Sequence, residues 1–253
     1  MSGGFLSSGR KEAFKDFTMG KGIFITGTDT GVGKTLIAGG LAGVWVKSGK
    51  RIGVMKPIES GCVKSDSGLQ PQDALFLKEM SYSTDDLDLI NPYRLEHPLA
   101  PSIAAELESV EINLKKIERI YHQLELKYDL MLVEGVGGLL APLYKTFNNA
   151  DLIRLLRIPM IVIARNTLGT INHTLLTVEY ARSNGLTIVG IIINTLSDSP
   201  DLSTKTNPQV IKKLSGLPLL GVIPYLTLPQ REDLSLITEL IDEHVNTERL
   251  EEM

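Results

Sequence analysis

A lysine and a threonine close a glycine-rich stretch near the start of the chain, "GIFITGTDTGVGKT" at residues 22–35. In the usual phosphate loop, a first glycine is followed by four residues and then by Gly-Lys-Ser or Gly-Lys-Thr. Here the first glycine, Gly27, lies one position too early, and Thr28 occupies the expected place. Lys34 can still reach the outer phosphates of a nucleotide, and the Thr35 hydroxyl can ligate Mg²⁺. The stretch therefore predicts a nucleotide site with a lengthened loop.

The flanks of the loop decide between a nucleotide site and an ordinary glycine turn. A buried apolar strand is predicted before the loop, and the helical pattern "TLIAGGLAGVWV" follows it. Free N–H groups and the helix dipole at a helix start favour an anion. A lysine at that position is otherwise mildly unfavourable, so we expect a phosphate partner for Lys34.

Three further ionisable residues lie at or near predicted strand ends. Glu134 closes the apolar run in "DLMLVEGVGG", and because a charge ending a buried strand is costly alone, a site is favoured over a solvated glutamate. Lys56 follows another buried strand, and the alternatives are a surface lysine or a second cation for a transferred phosphoryl group. Asp73 is predicted locally to be only the N-cap of the helix "DALFLKEM".

Short apolar runs alternate with helical patterns along the chain. The predicted strands are residues 22–26, 52–55, 129–135, 160–164, 187–194 and 219–224. The predicted helices are residues 34–48, 73–80, 114–127, 149–156, 171–183 and 208–214, with a last surface helix after residue 230. This alternation predicts an α/β fold in three layers, with a doubly wound, mostly parallel sheet and helices on both faces.

One segment, residues 59–101, breaks the alternation. It contains several prolines and glycines and is too long for a simple crossover between strands. Ligands of open α/β sheets bind beyond the carboxyl ends of the strands, and this segment leaves such an end. We therefore expect it to form a wall of the site.

Composition and charge restrict the classes of function. The chain has 253 residues, a net charge of −4 and a single cysteine, Cys62. The acidic balance argues against a nucleic-acid or membrane partner, and a lone cysteine favours a reducing compartment. No apolar run reaches the roughly 18 residues of a membrane span. We expect a cytoplasmic protein with a flexible extension at residues 1–20 and one α/β catalytic domain at residues 21–253.

The motifs in combination resemble those of the dethiobiotin synthetases, ATP-dependent carboxylases that close the ureido ring in biotin synthesis. The resemblance covers residues 21–226, and the family's own phosphate loop carries the extra residue. The other matching motifs, in the family's order, are "KPIESG", "DALFL", "NPYRLEHPLAPSIAA", "VEGVGGLLAPL", "LGTINHTLLT" and "IIIN".

The resemblance implies a phosphate-loop NTPase fold and a ligase that uses ATP and Mg²⁺, with CO₂ as co-substrate. An amine of 7,8-diaminononanoate would form a carbamate, the carbamate would take the γ-phosphoryl group of ATP, and the second amine would close the ring. It also implies a homodimer whose active site lies at the subunit interface.

The resemblance further assigns roles to residues. Thr35, Asp73 and Glu134 would hold Mg²⁺, which reverses the local interpretation of Asp73. Lys34 and Lys56 would be the catalytic residues. The nucleotide would contact Gly31, Val32, Gly33, Lys34, Thr35, Leu36, Asp73, Glu134, Gly135, Val136, Gly137, Asn194, Thr195, Pro224, Tyr225 and Leu226. The substrate would contact Thr30, Lys56 and Ser60, together with Gly169, Thr170 and Asn172 from the neighbouring subunit.

Two other functions share parts of the pattern. Nucleotide-switched partitioning or scaffold ATPases usually carry a second lysine early in the loop, where this chain has Thr28 and Asp29, and the C-terminus here is acidic rather than basic. An amide-forming enzyme such as a cobyrinate diamide synthase would need a glutaminase domain with its own catalytic cysteine, and Cys62 lies instead in the expected substrate loop.

Overall fold

The computed structural model describes residues 20–199 and 201–251. Its strands are β1 (Gly22–Gly27), β2 (Ile52–Met55), β3 (Ile58–Ser60), β4 (Val63–Ser65), β5 (Gly68–Gln70), β6 (Tyr93–Leu95), β7 (Leu130–Gly138), β8 (Pro142–Tyr144), β9 (Phe147–Asn148), β10 (Met160–Arg165), β11 (Ile188–Asn194) and β12 (Leu219–Ile223). Its helices are α1 (Lys34–Lys47), α2 (Gln72–Met80), α3 (Leu87–Ile90), α4 (Pro101–Leu107), α5 (Leu114–Glu125), α6 (Asn149–Leu156), α7 (Thr170–Ser183), α8 (Leu202–Ser215), α9 (Leu234–His244) and α10 (Glu248–Glu251). A 3₁₀ turn covers Pro229–Arg231.

Six strands form the central sheet in the order β12-β11-β10-β1-β7-β2, and every pairing in it is parallel. Because parallel strands all end at the same edge, the loops that leave their carboxyl ends gather there. The strand order reverses around β1, whose neighbours β10 and β7 both come later in the chain. That reversal opens a crevice beside the end of β1.

Both faces of the sheet are covered, as the continuously apolar strands predict. In β1 the side chains of Ile23 and Ile25 enter the core shared with α1, α2 and α9. Phe24 points the other way, into the core shared with α5, α6 and α7. The alternation places apolar residues on both faces, and it explains why these strands read as unbroken hydrophobic runs. The predicted three-layer α/β class is confirmed.

The start of α8 corrects one prediction, since the helix begins at Leu202 and not at Pro208. The Asp201 carboxylate accepts the N–H groups of Ser203 and Thr204 and so caps the helix. Pro208 lies inside the helix and cannot donate to the carbonyl of Thr204, four residues earlier. The side chain of Asn166 donates to that carbonyl at 3.1 Å instead. A tertiary contact thus replaces the missing helical hydrogen bond.

The segment 59–101 folds into small elements that the periodicity did not predict. Strands β3 and β6 pair in parallel, and β4 and β5 form an exposed antiparallel ribbon. Another short ribbon, β8 with β9, follows the long central strand β7. Helix α2 begins at Gln72 and packs against α1, so part of this segment does lie beside the phosphate loop.

The predicted extension at residues 1–20 lies outside the described residues, except for Gly20. Within the part of the chain that the structure describes, no helix has both the length and the apolar character needed to cross a membrane.

Candidate active site

The order of the central strands brings three predicted site residues together. Strand β7 lies between β1 and β2. Met55 at the end of β2 pairs with Val133, so Lys56 follows at the level of Glu134. The loop after β1 arrives from the other side of β7 and carries Thr35 into the first turn of α1. The register of the sheet therefore sets where these side chains meet.

A buried ammonium group joins two carboxylates at this point. The Nζ atom of Lys56 lies 2.6 Å from Oδ2 of Asp73 and 2.6 Å from Oε1 of Glu134. The Thr35 hydroxyl donates to the same Glu134 oxygen at 2.9 Å. The side chains of Lys56 and Glu134 are only 3% and 1% exposed, whereas that of Asp73 is 41% exposed. Four separate chain segments thus converge on one charge cluster.

The cluster and its burial shift the pKa values of the two lysines of the site in opposite directions. Burial alone would lower the pKa of Lys56, but the carboxylates of Glu134 and Asp73 outweigh it and raise this pKa above its usual value. Burial lowers the pKa of Lys34 to about 8, although Glu134 opposes this effect. Burial would raise the pKa of Asp73, but Lys56 holds it below its usual range. Lys56 is therefore cationic at every physiological pH.

The oxygen atoms of this cluster fit a hard divalent cation. Thr35, Asp73 and Glu134 offer a hydroxyl and two carboxylates, and Oε2 of Glu134 is buried without a hydrogen-bond partner. Among the described residues no group of three His, Cys, Asp or Glu side chains is placed to bind a metal. These oxygen atoms match the coordination preference of Mg²⁺, which is commonly bound by one or two carboxylates together with waters and nucleotide phosphates.

The phosphate loop itself is built around glycine at its last position. Gly33 has a φ of 91° and is the N-cap of α1, which has no side-chain cap and no acidic residue in its first turn. A Cβ atom at Gly33 would lie 2.1 Å from Nδ2 of Asn194. That amide nitrogen donates to the carbonyl of Val32 at 2.9 Å. The free N–H groups of the helix start are thereby left to an anion.

The extra residue of the loop is tied down by its side chain. The Asp29 carboxylate accepts the N–H of Thr30 at 2.7 Å and forms an ion pair with Arg165 at the end of β10. The Asp29 carbonyl lies 3.4 Å from Nζ of Lys34. Arg165 therefore holds the inserted turn, and a carbonyl of that turn lies close to the ammonium group of Lys34.

A pocket of about 440 Å³ opens beside this loop. Ten of the predicted nucleotide contacts line it, and they come from the loop, α2 and the ends of β11 and β12: Gly31, Gly33, Lys34, Thr35, Leu36, Asp73, Asn194, Thr195, Pro224 and Leu226. Four residues without a predicted role, Gln72, Phe76, Leu196 and Arg231, also line it. The pocket is large enough for a nucleotide base and sugar beyond the phosphates.

The remaining predicted nucleotide contacts lie outside the lining of this pocket. Val32 and Glu134 are buried. Tyr225 packs against Arg231, with the guanidinium carbon of Arg231 5.7 Å from the centre of the tyrosine ring. Gly135, Val136 and Gly137 lie in the last part of β7, which is supported by Asn149, whose amide donates to the carbonyls of Val136 and Gly138 at 2.7 Å each.

The predicted substrate contacts form two groups. Thr30 is exposed, and its hydroxyl lies next to Gly137. Ser60 is the last residue of β3, four positions after Lys56 in the chain. Gly169, Thr170 and Asn172 form the start of α7, where Gly169 and Asn172 are exposed and Thr170 is buried. None of the six predicted substrate contacts lines the nucleotide pocket.

Several contributors to the site carry no local sequence signal. Arg165 and Asn166 act on segments that are distant in the chain, and Asn166 is buried among Thr195, Thr204 and Asn207. Glu59 is buried and accepts hydrogen bonds from the N–H groups of Asp73 and Ala74. Asp73 is thus the second residue of α2 and not its N-cap, which is Pro71. These residues act through contacts between separate helices and strands, and the hydrophobic periodicity of the sequence contains no information about such contacts.

Comparison with known proteins gives a consistent picture. A family model described as an AAA domain matches residues 21–233. The chain is 45% identical over 217 residues to the ATP-dependent dethiobiotin synthetase BioD of Thermodesulfovibrio yellowstonii, a match that covers 83% of this chain and 90% of that protein. It is 41% identical over 226 residues to the protein of the same name from Bacillus subtilis strain 168, which covers 89% of this chain and 95% of that protein.

Solved structures support the fold. The MinD cell division protein of Aquifex aeolicus superposes with a TM-score of 0.52 and 17% identity, covering 87% of this chain and 88% of that one. At this identity the similarity extends to the arrangement of strands and helices only.

The tie between Arg165 and Asp29 predicts a change in nucleotide affinity. In an Arg165→Ala variant the inserted turn is released and an unpaired carboxylate remains beside the phosphates. We expect the Kd for ATP, measured by isothermal titration calorimetry, to rise about fivefold to tenfold.

The matched control is Arg154→Ala, which breaks an ion pair with Asp151 on α6, away from the loop. This control should bind ATP as the unaltered protein does. Equal affinities for ATP in the Arg165→Ala variant and the unaltered protein would show that the pair does not shape the loop.

Proposed function

The chain belongs to the family of ATP-dependent dethiobiotin synthetases, and we propose that it makes dethiobiotin from 7,8-diaminononanoate, CO₂ and ATP in the cytoplasm. The products are dethiobiotin, ADP and phosphate. The observation that carries the proposal is the cluster in which Lys56 contacts both Asp73 and Glu134 at the start of the phosphate loop helix. It supports the proposal because a cation and oxygen atoms that suit a metal ion lie together beside the phosphate loop, as phosphoryl transfer requires.

Nucleotide binding follows from the loop and the pocket. The N–H groups at the start of α1 and the ammonium of Lys34 would hold the β- and γ-phosphates. Asn194 and the segment Pro224–Leu226 would surround the adenine. Thr35, Asp73 and Glu134 would hold Mg²⁺, which when bound neutralises charge on the phosphate oxygens.

The first chemical steps need positioned charges and no side-chain nucleophile. One amine of the diamine attacks CO₂ and loses a proton, which gives a carbamate. A carbamate oxygen then attacks the γ-phosphorus, the bond to the bridging oxygen breaks, and ADP leaves. Thr30 and Ser60 would orient the carbamate, while the ammonium of Lys56 would stabilise the charge on the transferred group.

Ring closure completes the reaction. The second amine attacks the carbonyl carbon of the mixed carbamic-phosphoric anhydride, a C–N bond forms, and the C–O bond to phosphate breaks. The amine loses its proton, and phosphate leaves. Since the two amines belong to one molecule, the site mainly has to keep the bound chain in place until this attack occurs.

We propose that a second subunit holds the far end of the substrate. Gly169, Thr170 and Asn172 begin a helix whose N-terminus suits the substrate carboxylate, and Gly169 and Asn172 are exposed. Leu168 and Leu176, on the same loop and helix, are 83% and 62% exposed. Burial of these side chains in a homodimer would bring the loop to the partner's site.

The direct test is to incubate the protein with 7,8-diaminononanoate, bicarbonate and MgATP and to measure dethiobiotin, ADP and phosphate. We expect the three products in equal amounts. Hydrolysis of ATP that ignores the diamine and responds to DNA or lipid would overturn the proposal in favour of a switch ATPase.

A Lys56→Ala variant is predicted to bind ATP but to lose most of its turnover. Lys34 and the helix start remain, so nucleotide binding persists, while loss of the charge at the transferred group should reduce kcat at least about 100-fold. Because removal of Lys56 leaves Glu134 buried without its partner, at a cost of roughly 3–5 kcal/mol, Lys56→Gln should be made as well.

Both variants are assayed by dethiobiotin formation and by ATP titration, after thermal melting has shown that they fold. Lys213→Gln, an exposed lysine on α8, is the control and should retain full activity. A folded Lys56 variant with the rate of the unaltered enzyme would contradict the assignment.

Mixing two inactive variants tests the shared site. In a dimer of one Lys56→Ala subunit and one Asn172→Asp subunit, one site carries both changes and the other carries neither. If subunits exchange at random from an equal mixture, about a quarter of all sites are intact. Activity should return to that level after the mixture is unfolded and refolded together, and its absence would argue that each chain binds substrate alone.

A further inference from the structure

Glu59 is a buried carboxylate to which the proposed reaction gives no role. It is 5% exposed and lies in β3, three residues after Lys56. Its two oxygens point at the first turn of α2: Oε1 accepts the N–H of Asp73 at 2.9 Å, and Oε2 accepts the N–H of Ala74 at 3.0 Å. Burial, with the nearby Asp73 carboxylate, raises the pKa of Glu59 to about 7, while Lys56 and these two N–H groups oppose the rise. The two hydrogen bonds therefore favour the charged form of a side chain that is costly to bury.

Helix α2 lacks a cap of its own. Its N-cap residue is Pro71, which has no side-chain acceptor, and no side-chain hydrogen bond from Pro71 closes the helix start. In the ribbon β4–β5 that precedes it, β4 is exposed and β5 is at most half-buried. The free N–H groups of a first turn need acceptors, and a carboxylate there is also favoured by the helix dipole. Glu59 supplies from another element what the local sequence does not.

The contact matters because of which residue it fixes. Asp73 is the only acidic residue in the first turn of α2, and its carboxylate reaches Lys56 at 2.6 Å. Glu59 therefore holds the backbone of Asp73 from one side while Lys56, on the same short segment, holds its carboxylate from the other. One stretch of four residues sets both ends of the Lys56–Asp73 contact.

We propose that Glu59 is a positioning residue that sets Asp73 for coordination of the Mg²⁺–nucleotide complex. The inference rests on the proposed function in taking Asp73 as a metal ligand. Partners that orient metal ligands commonly change metal affinity about tenfold to 100-fold when they are altered. Glu59 acts at that level, through the main chain of the ligand and not by touching the substrate.

The test compares Glu59→Gln with Glu79→Gln in the full chain. Glu79 is an exposed residue in the last turn of the same helix, so the same charge is removed at the opposite end. Mn²⁺ serves as the metal probe and ADP as a nucleotide that cannot be turned over. The affinity for Mn²⁺ in the presence of saturating ADP is measured by electron paramagnetic resonance, and the affinity for ADP without metal by calorimetry.

In the Glu59→Gln variant we expect Mn²⁺ affinity with ADP to fall about tenfold to 100-fold, with ADP affinity in the absence of metal unchanged. In turnover, high Mg²⁺ should restore most of kcat. Glu79→Gln should match the unaltered protein in each measurement. A purely structural role would instead lower thermal stability while leaving the metal affinity of the folded fraction unchanged, and that result would overturn the proposal.

If Glu59→Gln does not fold, Glu59→Asp is tested in its place. This variant keeps the carboxylate, but its shorter side chain reaches less far toward the N–H groups of the helix. A smaller loss of Mn²⁺ affinity than in Glu59→Gln is expected, and full affinity in a folded Glu59→Asp variant would also count against the proposal. Because the binding readout needs no dethiobiotin, it stands apart from the activity assay. If Glu59→Gln loses Mn²⁺ affinity as expected but the unaltered protein forms no dethiobiotin, the proposed function is rejected and the role of Glu59 stands.

Discussion

The burial of the Lys56 ammonium between two carboxylates is the constraint on which the site depends. Glu134 is almost fully buried, and a carboxylate in that position is tolerated only with a close cation and hydrogen bonds. Lys56 supplies the cation and Thr35 a hydroxyl. The parallel register of β2 against β7 brings Lys56 to the level of Glu134. The pairing of the strands therefore determines which charges lie next to each other.

A second constraint is the limited space around the phosphate loop. Its last glycine has the side-chain amide of Asn194 where a Cβ would lie, so the end of β11 closes against the loop. The longer turn that begins at Gly27 would be loose without support. Asp29 ties that turn to Arg165 at the end of β10, and its carbonyl faces Lys34. The extra residue thus creates a contact that joins the loop to a neighbouring strand.

The sequence predicts well what is encoded within one element. Strands buried on both faces are continuous apolar runs, and residues such as Glu134 and Lys56 stand out because they end such runs. It predicts poorly what is encoded between elements. The local sequence predicts Asp73 as a cap, but its setting depends on Glu59, fourteen positions away, and residues 202–207 of α8 are not predicted because Asn166 compensates for Pro208. The family resemblance assigns Asp73 to the metal, which stays a prediction, and says nothing of Arg165.

The charge balance of the cluster explains how one lysine can serve both the fold and the chemistry. Burial lowers the pKa of Lys34 to about 8 and raises the pKa of Glu134, and the opposite charges of the cluster counter both shifts. While its ammonium contacts both carboxylates at 2.6 Å, Lys56 is not free to contact a transferred phosphoryl group. In the proposed mechanism a metal ion would meet part of the carboxylate charge and so free Lys56, and Oε2 of Glu134, which is buried without a hydrogen-bond partner, is available to such an ion. The proposed metal site and the proposed role of Lys56 would therefore be coupled by electrostatics through Asp73 and Glu134.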